Sequence, residues 1–126
     1  NRNFTLKITE FVKGLPEEEQ NRMGDHLIRT ARNVTNCIAE GYGRFEYQEN
    51  IDFCRQARAS IYRIIDSLIA LHDINLISEE DLENFKNECN KSISFLNGYI
   101  RHLLRKRRQK DEGLLSNKED NSSQEF

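Results

Sequence analysis

Apolar residues recur every three or four positions along three long segments of this chain, a spacing typical of α-helices with one buried face. In the most regular segment, the apolar residues from Cys54 to Leu71 step by 3, 4, 3, 4 and 3, which is heptad spacing. One proline and six glycines in 126 residues are too few for the frequent turns of an all-β fold. The sequence therefore predicts an all-α domain.

Turn and capping residues divide the apolar series into four helices. Pro16 separates the first from the second, Gly41 is expected to end the second in the left-handed conformation, and Ser78 is a good cap for the fourth. The predicted helices cover about residues 2–14, 16–40, 48–73 and 79–107. Because long helices joined by short loops pack as antiparallel neighbours, residues 1–108 are predicted to form an up-down-up-down four-helix bundle.

The whole chain has a net charge of -2, and the local charge changes from positive to negative near its C-terminal end. Residues 101–110 hold six bases and no acid, whereas residues 111–126 hold five acids and one base. Because it has little apolar surface to offset the entropy of ordering, the segment 109–126 is predicted to be a disordered, polar, acidic tail. Alternatively, this tail folds back over the basic segment and competes with an anionic partner.

The cysteine and hydropathy patterns argue against two classes of protein. Cys37, Cys54 and Cys89 are an odd set without Cys-x-x-Cys spacing, which disfavours a disulfide scaffold or zinc ribbon and favours a reducing cytoplasm. No apolar run approaches the ~20 residues that span a bilayer, so no membrane partner is expected. Since the chain opens on Asn1 rather than methionine, we expect further residues to precede it.

Patterns that carry catalysis are missing. The chain has no Glu-x-x-His, His-Glu-x-x-His or Gly-x-Ser-x-Gly, and His26, His72 and His102 lie far apart in the sequence. The sequence predicts no enzymatic activity, no metal and no cofactor. One alternative rests on the segment from His26 to Ala31, which is similar to the phospho-accepting segment of histidine phosphotransfer domains, also four-helix bundles; His26 is otherwise a surface residue.

Arginine suggests a nucleic-acid partner. Residues 22–63 contain seven arginines and no lysine, and arginine matches phosphate geometry better than lysine does. Arg101, Arg105 and Arg108 step by 4 and 3 and so share one face of the last helix, although cations there also suit the helix dipole. No exposed aromatic platform is evident. The predicted phosphate-binding residues are Arg29, Arg32, Arg44, Arg101, Arg105, Lys106, Arg107 and Arg108.

A second apolar stripe flanks the main one on the last two long helices. Its members are Tyr62, Ile65, Ile69, Phe95 and Tyr99. Such a second face is expected where a helix also closes a subunit interface. The alternative is a single wide core face.

The segment from Val34 to Arg44 reads VTNCIAEGYGR. With Arg29 and Ala31 before it, this segment resembles the signature of a bacterial family of four-helix bundle proteins encoded within intervening sequences of 23S ribosomal RNA genes. The resemblance covers about residues 3–107. Its most specific positions are Ile38, Ala39, Glu40, Gly41, Gly43 and Arg44.

This resemblance implies a bundle that assembles as a ring, typically a homopentamer. The family is also similar in fold to the accessory variability determinant proteins of diversity-generating retroelements, which bind a reverse transcriptase and its RNA. The expected function is a non-catalytic accessory protein associated with structured RNA or a ribonucleoprotein enzyme. The alternatives are a protein-interaction scaffold for a reverse transcriptase or another partner and, third, a phosphotransfer domain.

Glu40 is expected to need a cationic partner, because a carboxylate at the C-terminal end of a helix is disfavoured by the helix dipole. Arg29, Arg44 and Arg58 are the candidates. The pair would pin the turn, or it would position Arg44 for binding phosphate.

Overall fold

In the computed structural model, secondary structure is described for residues 2–124 and side chains for residues 3–115. Helix α1 is Arg2–Lys13, α3 is Tyr47–Asp73 and α4 is Glu79–Gln124. Helix α2 is one rod made of three consecutive stretches: Glu17–Glu19 is α-helical, Gln20–Gly24 is a π-helix, and Asp25–Tyr42 is α-helical. Residues 2–124 contain no strand, so the all-α prediction is confirmed.

Side-chain contacts fix the relative directions of the long helices. The pairs are Asn33–Ser60 and Cys37–Gln56 between α2 and α3, and Gln48–Arg107 and Arg58–Asn97 between α3 and α4. In both sets the residue number rises along one helix while it falls along the other. Successive long helices are therefore antiparallel, as expected of an up-and-down bundle.

The predicted heptad series forms the core. Every member on α3 is buried, and Ile64, Leu68 and Leu71 have no exposed surface. The facing residues of α4 are also buried: Leu82, Cys89, Ile93, Leu96, Ile100 and Leu103. The predicted cap of α4 is confirmed as well, because the Asp81 backbone N–H donates to Ser78 Oγ at 3.1 Å.

Gly41 does not end its helix, contrary to the prediction. The helix continues to Tyr42, and no glycine among the described residues has a positive φ. Gly41 is buried, and a Cβ added there would lie 2.6 Å from Asn50 Oδ1 and 3.3 Å from Phe53 Cβ. The glycine is needed because α3 crosses α2 too closely for a side chain, not because the backbone turns there.

The last helix does not end near residue 107, contrary to the prediction. Helix α4 continues to Gln124, since the segment after Lys110 lacks proline and extends a helix that the bundle has already nucleated. The side chains of residues 108–115 are exposed, and they follow the basic turns along the helix axis instead of folding back over them. The acids beyond residue 115 lie outside the described side chains, and the division into bundle and tail at residue 108 stays a prediction.

Helix α1 covers only part of the bundle. Its 12 residues span about 18 Å, whereas the 27 residues of α3 span about 40 Å. The rings of Phe4 and Phe11 contact the ring of Phe85 on α4 with centroid distances of 6.2 and 5.7 Å. Near the α2–α3 turn, α2, α3 and α4 pack without a fourth helix over them in the described residues.

We expect the three thiols to resist alkylation in the folded protein. Cys37, Cys54 and Cys89 are buried and unpaired. Burial raises the pKa of each thiol above its ordinary value of 9.0, for Cys89 to about 12. Iodoacetamide at neutral pH should add to these thiols only after unfolding, as mass spectrometry would report; rapid labelling of the native chain would contradict their burial.

The raised thiol pKa values also determine how the stability of the protein changes with pH. Because the folded thiols hold their protons more tightly than the unfolded ones, their contribution to stability is complete below the pKa of the unfolded thiol. As the pH rises above that value, the thiols of the unfolded chain ionise first, and this ionisation favours the unfolded state. The free energy of unfolding should therefore fall above about pH 9, which urea denaturation at neutral and alkaline pH would measure.

Candidate nucleic-acid interface

The turn after α2 is pinned by Arg44. Arg44 Nη2 donates to Glu40 Oε2 at 3.2 Å, and its Nε lies 3.9 Å from Glu49 Oε2. The guanidinium also lies over the Phe53 ring, 5.3 Å from the centroid. Of the three predicted partners of Glu40, Arg44 is the one in contact, and acids on both sides offset its charge.

The rest of the family-like motif shapes this turn. Ile38 packs on the core, Gly41 admits α3, and the Gly43 backbone N–H donates to the Ala39 carbonyl at 3.2 Å. These contacts give Ile38, Ala39, Gly41 and Gly43 structural roles.

Arginines from two helices meet along the groove between α3 and α4. Arg58 Nη1 donates to Asn97 Oδ1 at 2.7 Å, which joins the two helices at this point. Arg55 precedes Arg58 by one turn, and Arg101 follows Asn97 by one turn, so both lie beside this contact. The exposed series continues along α4. We call the following residues the arginine face: Arg55, Arg58, Arg101, Arg105 and Arg108.

No acid interrupts the arginine face. Residues 53–65 of α3 and residues 89–110 of α4 contain no Asp or Glu, and together they carry ten Lys and Arg. Within residues 3–115, no ion pair involves any member of the arginine face. The face ends at Asp111 and Glu112, which share an open hollow of about 640 Å³ with Arg108 and Leu115. Its positive charge is therefore available to an external anion.

The structure separates Arg29, Arg32 and Arg44 from this face. Arg107 is half-buried and donates to Gln48 Oε1, and it also lines the hollow that holds Arg105 and Arg108. Arg29 and Arg32 line a different hollow on α2 with Asp25, and Arg29 Nε donates to the Asp25 carbonyl at 3.3 Å. Arg55 and Arg58 were missed by the sequence prediction, although the acid-free runs around them were a visible signal.

The five predicted interface residues do not form one surface. Tyr62 lies one turn after Arg58 and so continues the side of α3 that meets Asn97. Phe95 precedes Asn97 by two residues, which places it about 200° away around α4. Tyr62, Ile65 and Ile69 therefore belong to one side of the bundle, whereas Phe95 and Tyr99 belong to the other. Whether either set contacts another subunit stays a prediction.

Phe95 and the half-buried Tyr99 instead belong to a group of rings at the surface. On α4, the Phe95 and Tyr99 rings are 6.2 Å apart and inclined by 8°, and the Tyr99 and His102 rings are 6.2 Å apart and inclined by 23°. Tyr42 of α2 adds a fourth ring, 5.4 Å from Tyr99. Phe95 and Tyr42 are 60% and 57% exposed. We call Tyr42, Phe95, Tyr99 and His102 the aromatic row, and its exposure corrects the expectation that no such platform exists.

The described residues offer little support for a metal site, for phosphotransfer or for a membrane-spanning helix. No three His, Cys, Asp or Glu side chains in this part of the chain lie close enough to hold a metal. His26 is exposed, and Thr30, at the position where phosphotransfer domains carry a small residue, is buried with its hydroxyl donating to the His26 carbonyl. None of the described helices combines the length and apolar character required to cross a bilayer. The absence of catalysis and of a metal stays a prediction, and phosphotransfer stays the third alternative.

Comparison with known proteins places these observations in a family. No curated protein matches the chain. The sequence model of one family, described as 23S rRNA-intervening sequence protein, matches residues 1–98. The match covers more than three-quarters of the chain and includes α1, α2, α3 and the motif from Ile38 to Arg44. This chain therefore belongs to the 23S rRNA-intervening sequence protein family.

Proposed function

We propose that this protein is a non-catalytic accessory protein that binds the phosphate backbone of structured RNA through its arginine face. The observation that carries the proposal is the acid-free groove between α3 and α4, where Arg58 is joined to Asn97 and flanked by Arg55 and Arg101. Arginine donates paired N–H groups to phosphate oxygens, and several such contacts release counterions from the nucleic acid. The family description, 23S rRNA-intervening sequence protein, makes ribosomal RNA the first RNA to test.

Assembly would strengthen such binding. The family resemblance supports a cytoplasmic homo-oligomer, a pentamer by analogy, in which each subunit repeats the arginine face. Weak phosphate contacts then act together, because the second and later contacts are intramolecular.

A second function has one observation in its favour. Tyr62 is 55% exposed and Ile69 is 38% exposed on the same side of α3. Apolar side chains in that position suit a protein partner, which supports the scaffold for a reverse transcriptase or another enzyme.

The test is the salt dependence of RNA binding. We expect the triple variant Arg101→Ala, Arg105→Ala, Arg108→Ala to bind a folded RNA more weakly. Its plot of log affinity against log salt should also be less steep, with the magnitude of the negative slope reduced by about 2 to 3. Fluorescence anisotropy of labelled RNA measures both quantities, and light scattering measures the mass of the assembly.

The control removes the same amount of charge elsewhere. The control variant replaces three bases that lie away from the arginine face and are each paired with an acid: Lys7, Lys13 and Arg22. Their replacement by alanine should leave the salt slope nearly unchanged. Equal losses in the two triple variants would mean that net charge alone attracts RNA. Recovery of one protein without RNA, unaffected by the arginine substitutions, would favour the scaffold.

A further inference from the structure

The aromatic row lies on the side of α4 opposite Asn97 and has no role in the phosphate contacts described above. We propose that this row stacks against unpaired RNA bases, so that the protein prefers single-stranded segments to duplex. The inference rests on the proposed function, because Arg105 of the arginine face follows His102 by one turn and would hold a phosphate of the same strand.

Three rings of the row follow one another along α4 with similar orientations. Phe95, Tyr99 and His102 step by 4 and 3 along α4, and their planes are nearly parallel. Stacking of bases on aromatic faces is the usual way in which proteins bind single strands, because every base has a π-face. The exposed faces of Phe95 and Tyr42 are therefore suited to unpaired bases.

Contacts beneath the row hold it in place. Asn50 Nδ2 of α3 donates to the Tyr99 hydroxyl at 3.1 Å, and Asn50 itself is buried against Gly41. A ring fixed in this way loses little conformational entropy when a base stacks near it. The glycine of the motif thus contributes to the row by letting Asn50 approach.

The charges around the row match a nucleic acid. Lys91 precedes Phe95 by one turn, Lys106 follows His102 by one turn, and Arg105 links the row to the arginine face. No acid lies on α4 between Glu88 and Asp111. The exposed members here are rings and cations, the combination with which proteins hold single-stranded nucleic acids.

Tyrosine fluorescence provides the test, because the chain has four tyrosines and no tryptophan. Replacing Tyr47 and Tyr62 by phenylalanine leaves Tyr42 and Tyr99 as the emitters. We expect a single-stranded RNA of about 12 nucleotides to quench this emission and a duplex of the same length to leave it nearly unchanged. Absence of quenching by a bound single strand would overturn the inference.

Two substitutions test the row independently of fluorescence. Phe95→Ala and Tyr42→Ala should each weaken single-strand binding roughly tenfold or more and leave duplex binding unchanged. The matched control is Tyr62→Ala, which removes a ring of similar exposure outside the row and should preserve the preference. Equal losses for single strand and duplex would contradict stacking.

The outcomes separate this inference from the function on which it rests. If the arginine triple variant loses both RNAs while Phe95→Ala changes neither, phosphate binding stands and base stacking is wrong. If the arginine variant loses nothing, both are wrong. If Phe95→Ala changes the mass of the assembly but not its RNA binding, the row is a contact between copies and the inference is overturned.

Discussion

Phe85→Ala should lower the free energy of unfolding by about 3 kcal/mol and loosen α1. Phe85 is the ring of α4 on which both Phe4 and Phe11 pack, with interplanar angles of 83° and 66°. Edge-to-face pairs of this kind add about 0.5–1.5 kcal/mol to the burial of the rings. The two helices are also joined by an ion pair between Lys7 and Glu88, which lies at the surface and contributes little to stability.

Urea denaturation measures the loss, and hydrogen exchange at the buried turn of Ile8 and Val12 locates it. Phe95→Ala is the matched control, because it makes the same substitution on the same helix where the ring is exposed, and it should change stability little. Phe85→Leu should recover most of the loss by restoring apolar volume. Similar losses for Phe85→Ala and Phe95→Ala would mean that α1 is not held by its rings.

Gly41→Ala should lower the free energy of unfolding by about 1–3 kcal/mol, although alanine is the better helix former. The added Cβ would lie 2.6 Å from Asn50 Oδ1, so α3 must move away from α2 or Asn50 must turn. Turning Asn50 also breaks its hydrogen bond to the Tyr99 hydroxyl. A stability loss with altered tyrosine emission is the expected pair of results.

Gly43→Ala is the control for Gly41→Ala. The nearest atom to an added Cβ at Gly43 is the Glu40 carbonyl oxygen at 3.6 Å, an ordinary contact. This variant should be neutral or slightly stabilising by chemical denaturation, since only helix propensity changes. If both variants behave alike, the close crossing at Gly41 is not as tight as the distances indicate.

The core of this protein follows from its sequence because burial in a helix is periodic. The step of three or four residues places Cys54, Ile64 and Leu71 on one face, and all three are buried. The Ser78 cap is equally local, since the side chain bonds a backbone N–H three residues later. Features that depend on neighbours along the chain could be predicted.

Features that depend on distant residues could not. Local rules assign Gly41 to a helix end, but its role is decided by Asn50 and Phe53 on another helix. Arg55 and Arg58 join Arg101 only because the α3–α4 crossing places Arg58 beside Asn97. The stripe pattern likewise does not say which side of α4 each second-stripe residue occupies, because that depends on where α2 and α3 pack.

The π-helical stretch from Gln20 to Gly24 can accommodate a change in chain length. A π turn holds one residue more than an α turn, so the stretch is what a one-residue insertion leaves behind when both flanks keep their packing. On one flank Gln20 Nε2 donates to the carbonyls of Lys13 and Leu15, and on the other Leu27 is fully buried. We therefore expect that deleting one residue within the stretch would leave a plain α-helix between the same two anchors and preserve the core.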